Sequence, residues 1–409
     1  MLKKSYPFLA LLIGVLLLQC SRNPVSTESN PPRELTFAEK SLVVSGNEFG
    51  FKLFKEIVRE EKDSNVFISP LSVSMALGMT YNGANGETQT AMQNALELSG
   101  LTIQEVNESY QSLIELLTGL DPKVQFQIAN SIWYHQDRNF EKEFMNLCEK
   151  YFDALVTGLD FGHPDAAATI NAWVEENTDG KIKEIVDDPI GGAIVMFLIN
   201  AIYFKGTWTY QFDKDLTKDD EFTLPDGTKK PCKMMVQEGD FQYLWNAGFE
   251  AIDLPYGDGK FSMTVLLPHP EADIDSLITE LSPENWDKWM NNLSERSVKL
   301  FLPRFKLECE FGLNQALKAM GMEIAFDPYR ADFTRMCKPG GIWIDTVKHK
   351  TYVEVNEEGT EAAAVTSVVM QEISCGLSMR VDRPFVFVIR ENKSQNLLFM
   401  GKIVEPTFE

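Results

Sequence analysis

The residues best suited to catalysis are few and scattered. The four histidines, His135, His163, His269 and His349, are never closer than 28 positions (163 − 135 = 28). That spacing excludes a local two-histidine metal motif. The cysteines at 148, 232, 309, 337 and 375 form no CxxC pair. The chain also lacks GxSxG, HExxH, P-loop and GxGxxG motifs. No enzyme activity, metal or cofactor is expected. The chemistry that remains is that of a segment acted upon. Residues 357–374 read EEGTEAAAVTSVVMQEIS. They follow an alternating strand, Thr351 to Val355, and precede Arg383-Pro384-Phe385. A loop of that length inside a compact domain is usually functional.

This loop has the composition of a strand. After Gly359 there is no glycine until Gly376 and no proline until Pro384. Small and β-branched residues fill it instead. If it were a strand, one face would be Thr360, Ala362, Ala364, Thr366, Val368 and Met370. That face carries no charge and could enter a tight sheet. The other face, with Glu361, Ala363, Val365, Ser367, Val369 and Gln371, keeps polar groups for water. An exposed loop able to become a buried strand fits this pattern. A plain edge strand fits the composition equally well.

The elements that must hold this segment divide into a helical half and a strand half. Phe49, Leu53, Phe54, Ile57 and Val58 mark one helix face. Thr88, Met92, Ala95 and Leu96 mark another, and Ile170, Trp173, Val174 and Asn177 a third. Strands are expected at 197–204, 261–267, 298–302, 384–389 and 397–400. No internal repeat or later linker interrupts them, so 36–409 reads as one mixed α+β domain. Apolar types make up 44% of the chain, a globular value. The net charge, 38 − 60 = −22, argues against a nucleic-acid partner, which would need a basic face.

The N-terminus reads as an export signal. Lys3 and Lys4 precede an apolar run from Pro7 to Leu18, too short to span a membrane. The run ends Leu17-Leu18-Gln19-Cys20, which resembles a bacterial lipobox, with Gln19 standing where a small residue is usual. Residues 1–19 are then a signal peptide and Cys20 a lipidation site. Residues 20–35 form a Ser-, Asn- and Pro-rich tether. The expected location is the cell envelope, lipid-anchored on its periplasmic or outer side.

The segment GTEAAA after VEVNEE is similar to the hinge of the serpins, the serine protease inhibitor family. Asn65–Ser72 (NVFISPLS) resembles the family's NxxxSPxS segment, and Asn200–Trp208 (NAIYFKGTW) its NAxYFKGxW motif. Phe385-Val386-Phe387 and Phe399–Lys402 (FMGK) resemble its C-terminal strands. The resemblance covers roughly 36–409. It implies a serpin fold: a mainly helical N-terminal half, a large central sheet and an exposed reactive-centre loop. It also implies a suicide-substrate inhibitor of serine-type endopeptidases, with cysteine-type enzymes as an extension. A target cuts the loop, the cleaved loop enters the sheet as a new strand, and the acyl-enzyme is trapped.

The resemblance also implies where the bond lies. Serpins typically place it fourteen positions after the hinge glycine, and some relatives place the residue before it eleven positions ahead of the proline of the PFxF strand; from Gly359 and Pro384 both counts give residue 373 (359 + 14; 384 − 11). Ile373 and Ser374 thus correspond to P1 and P1′, with Val369 and Met370 as alternative cleavage positions. A β-branched P1 suits small apolar pockets of elastase-like or subtilisin-like enzymes. Glu357, Gly359, Thr360, Glu361, Ala362, Ala363 and Ala364 correspond to the hinge. Ser69, Ser72, Asn200 and His349 correspond to the polar "shutter" beneath the sheet, His349 lying on the apolar face of its strand. A core histidine with no switching role is the alternative. Trp208 corresponds to the "breach", where simple core packing also fits. Arg304 matches the partner of Glu357, a pair worth at most about 1 kcal/mol if exposed. Small residues at Thr360, Ala362 and Ala364 favour insertion. A non-inhibitory serpin, acting as a binding or carrier lipoprotein, is the alternative. A monomer is expected.

Overall fold

The structure is a computed structural model and describes residues 33–360 and 376–408. Pro32–Glu409 forms one compact unit. Two sheets dominate it. The first has six strands in the order Phe305–Gly312, Lys348–Val355, Gly359–Thr360, Met196–Thr207, Val124–His135 and Ala154–Leu159. The second runs Val66–Ile68, Leu397–Ile403, Phe385–Glu391, Phe261–Pro268, Phe249–Tyr256, Lys229–Trp245, Ser294–Pro303 and Leu377–Arg380. Lys218–Thr223 pairs beside Lys229–Trp245.

The expected helices are present as Phe37–Glu60, Gly86–Ala95 and Ala166–Asn177. The first is fixed by a capping box in which Thr36 and Glu39 satisfy each other's backbone donors. Helices at Pro70–Gly83, Ile103–Leu117 and Lys142–Phe152 had no expectation attached. Pro70–Gly83 runs through the interior with every residue buried except Ala76, so it shows no amphipathic stripe.

Aromatic packing joins the sheets. Phe204 meets Tyr256, Phe261 and Phe399 at centroid distances of 5.1, 5.9 and 6.2 Å. Phe67 stacks between Phe387 and Phe399. The quoted sequence motifs acquire physical reasons here. Asn65 accepts from the Val404 and Glu405 amides and donates to the Glu405 carbonyl, pinning the C-terminal strand. Ser69 caps the Pro70–Gly83 helix, with proline at its first turn. Lys402 is wholly buried and donates to the Glu61 and Lys62 carbonyls at the end of the first helix. A Cβ on Gly206 would sit 2.7 Å from the Tyr256 ring.

Candidate functional site

Met196–Thr207 and Lys348–Val355 flank the centre of the six-stranded sheet, yet among the described residues they never pair with each other. Among the described residues, the two-residue strand Gly359–Thr360 is what lies between them. It pairs antiparallel with both: Gly359 with Thr207, and Thr360 with Gly206 and Val355. Gly359 has φ +154°, and a Cβ there would come within 2.0 Å of the Gly206 carbonyl oxygen. Glycine is therefore required at this position by space as well as conformation.

Thr360 is buried, and its hydroxyl lies 2.6 Å from the Tyr256 hydroxyl. Burial also pushes the Tyr256 phenol far above its usual range, so it stays protonated. Trp208 stacks on Tyr256 at 4.4 Å. Its indole N–H donates to the Asn356 carbonyl and its amide to the Glu358 carbonyl, both at 2.9 Å. Trp208 thus packs in the core and also holds the hinge backbone. Tyr256 was missed by sequence reasoning, because nothing local connects Pro255-Tyr256 to residue 360.

The acidic pair before Gly359 is clamped from two sides. Arg304 Nε donates to Glu357 at 2.7 Å, and the Thr217 hydroxyl donates to the same carboxylate. Lys214 pairs with Glu358. The Glu357 side chain is 2% exposed and that of Arg304 is 24% exposed. The expected value of at most about 1 kcal/mol for an exposed pair does not apply. Removing one partner from a buried pair leaves an uncompensated charge and costs about 3–5 kcal/mol.

Ser69, Ser72, Asn200 and His349 line one cavity. His349 Nε2 accepts from the Ser69 amide at 2.9 Å, and the Ser69 hydroxyl donates to the Leu398 carbonyl at 2.7 Å. Ser72 makes a long 3.4 Å contact with the Asn200 carbonyl. Asn200 Nδ2 donates to Asn130 Oδ1 at 2.7 Å, leaving its own buried Oδ1 without a partner. No hydrogen bond joins Asn200 to His349, because each belongs to one of the two separated strands. Burial lowers the His349 pKa from 6.5 to about 4, so the ring is neutral. A cavity of about 710 Å³ lies here, lined by Ser69, Ser72, Asn200 and His349 and by both flanking strands.

Other chemistry is weak. Burial pushes the Cys232 and Cys309 thiols up to about 11, the reverse of an activated nucleophile. Among the described residues no group of three or more His, Cys, Asp and Glu could hold a metal. Glu361, Ala362, Ala363, Ala364, Val369, Met370, Ile373, Ser374, Cys375 and Cys20 lie outside the described residues.

The model of the serpin (serine protease inhibitor) family matches residues 44–406. The chain belongs to the serpin family. It is 36% identical to human Serpin B8 over 370 residues, covering 88% of this chain and 97% of that protein. It is 34% identical to the leukocyte elastase inhibitor of Sus scrofa over 380 residues, covering 90% and 100% respectively. The native structure of the thermophilic serpin Tengpin matches with TM-score 0.82 and 30% identity, covering 92% of this chain and 97% of that one. Human thyroxine-binding globulin complexed with thyroxine matches with TM-score 0.83 and 28% identity, covering 91% and 100%. Within this serpin, the hinge and the shutter cavity are two ends of one interrupted sheet.

Proposed function

We propose that this serpin inhibits proteases as a suicide substrate cleaved at Ile373–Ser374. The observation that carries the reading is Gly359–Thr360, which is already the first step of a strand between two strands that otherwise do not pair. A protease nucleophile attacks the Ile373 carbonyl, the amine of Ser374 leaves, and an acyl-enzyme forms. The freed segment then extends the strand begun at Thr360 and carries the enzyme with it. Distortion of the protease stops deacylation, so inhibition is kinetic. The isoleucine favours elastase-like or subtilisin-like targets, in keeping with the elastase inhibitor among the relatives.

The experiment is a panel of serine proteases scored for gel-stable complexes, with the released fragment sequenced. A fragment beginning at Ser374 supports the bond. One beginning at Met370 or Gln371 moves it. Cleavage of the loop with no complex would favour the carrier reading, for which thyroxine-binding globulin is the structural precedent.

We also propose export and lipidation at Cys20, on the apolar run and lipobox-like ending alone. No helix among the described residues is long and apolar enough to cross a membrane. Metabolic labelling with a radioactive fatty acid, lost in Cys20→Ala, tests the anchor.

A further inference from the structure

We infer that Ala166–Asn177 and the segment 178–195 form a lid over the slot, hinged on one flanking strand and latched to the other by Lys181 and Lys348, and that these latches set how readily the slot opens. The lid is one body. Asn171 of the helix accepts from the Ile185 and Val186 amides, both at 2.9 Å, and donates to the Val186 carbonyl at 2.8 Å. It spans the slot: Ile185, Asp187 and Ile190 line the cavity together with Asn200 of one flank and His349 of the other.

The two flanks hold the lid by different means. On the Met196–Thr207 side the hold is apolar. Ile170 and Val174 of the helix and Ile182 and Val186 of the segment pack in one cluster with Ile199 and with Trp133 of the neighbouring strand. The Tyr203 hydroxyl adds a bond to Asp179 at 3.1 Å. That cluster takes no described residue from Lys348–Val355. On the Lys348–Val355 side the contacts are cationic. Lys181 Nζ lies 4.9 Å from the centre of the Tyr352 ring, and Lys348 Nζ reaches both Asp187 carboxylate oxygens, at 2.6 and 2.7 Å. Parting a buried apolar cluster exposes its surface to water, whereas an ion pair with an exposed aspartate trades its partner for water at little cost. The lid therefore opens from the lysine side.

Register places both latches on the path of an entering strand. Thr360 is level with Val355. Tyr352 and Lys348 lie three and seven residues further along (355 − 352; 355 − 348). Those steps are roughly 10 and 23 Å at about 3.3 Å per residue. Lys181 and Ile182 line, with Tyr203 and Tyr352, the narrow gap at Thr360. A strand growing from Thr360 meets the first latch at once and the second near the far end of the slot.

Faster strand entry on release of the latches rests on the proposed inhibitory mechanism, whereas opening of the lid in the intact protein does not, and the two are measured separately. Ala201 is buried on the cavity wall. Ala201→Cys, in a full chain whose Cys20, Cys232 and Cys375 are replaced by Ser, reports opening through its rate of labelling by a fluorescent maleimide. The same chain with Ala201 intact is the blank for the buried Cys148, Cys309 and Cys337. Asp187→Asn and Lys181→Met should each speed labelling about two- to fivefold. Lys348→Arg should keep the parent rate and Lys348→Met should not. Unchanged labelling in the double variant Lys181→Met/Asp187→Asn overturns the latches, as does a Lys348→Arg protein that labels as fast as Lys348→Met. Pancreatic elastase then serves as the trapping probe, with insertion followed by tryptophan fluorescence in single-turnover stopped flow. Insertion should quicken by the factor seen in labelling. Faster labelling with an unchanged insertion rate overturns control of strand entry by the latches. Faster labelling with no covalent complex in any variant, parent included, supports the latched lid and sinks the inhibitory mechanism instead.

Discussion

His349 is held neutral by burial, with its pKa lowered from 6.5 to about 4. Acidification therefore protonates the unfolded chain first. The penalty is absent above about pH 6.5 and grows as pH falls toward 4, because the folded state resists the proton. The full gap, 6.5 − 4, corresponds to about 3 kcal/mol. By pH 4.5 most of that, about 2–3 kcal/mol, has been lost. His349→Gln keeps an acceptor for the Ser69 amide but does not titrate. Carboxylates titrate alike in both proteins, so the difference between them isolates the imidazole. The assay is the urea midpoint for loss of the native state, followed by tryptophan fluorescence at about pH 7.5, 6.5, 5.5 and 4.5. The parent protein should lose about 2–3 kcal/mol more than the variant across this series. Parallel curves would show that His349 is accessible to protons in the folded state, and the burial argument would be wrong.

Arg304→Ala strands the Glu357 carboxylate and should cost about 2–3 kcal/mol, below the fully buried limit because Arg304 is partly exposed. Adding Glu357→Gln should recover most of that in a double-mutant cycle of denaturation midpoints. Thr360→Val removes the partner of the Tyr256 hydroxyl and should cost about 1–3 kcal/mol by the same measurement. Thr360→Arg must bring a charge to a buried position, so it should turn the inhibitor into a substrate. Stable complexes at an unchanged stoichiometry would refute that. Cleavage of the loop should raise Tm strongly in the parent and little in Thr360→Arg, as read by calorimetry.

The legible parts of the fold were those with local periodicity. The strand at 348–355 alternates, and its buried face, His349, Thr351, Val353 and Val355, is the one the sequence indicates. The Pro70–Gly83 helix was invisible because it is buried all round and shows no amphipathic stripe. The hinge could be found from residues 359–360, since glycine followed by a small residue and an alanine run is a local signal. Its partners could not. Tyr256 ends one strand and Thr217 and Lys214 share a short turn far away in the chain, and only the tertiary fold brings them to Thr360, Glu357 and Glu358. The polar cluster was legible in membership but not in wiring. His349 accepts from the Ser69 backbone amide, and a backbone donor leaves no signal in side-chain type.

The pairing directions around Gly359–Thr360 have a consequence for which way the sheet is driven. This short strand is antiparallel to both of its neighbours. Met196–Thr207 and Lys348–Val355 must therefore point the same way. Closed directly against each other, they would share a single parallel seam, with slanted and slightly weaker bonds. A strand added between them in the direction begun at Thr360 replaces that seam with two antiparallel ones. The ratchet is thus written into chain polarity: each residue that follows Thr360 into the slot adds two antiparallel rows of hydrogen bonds where, among the described residues, the flanking strands share none.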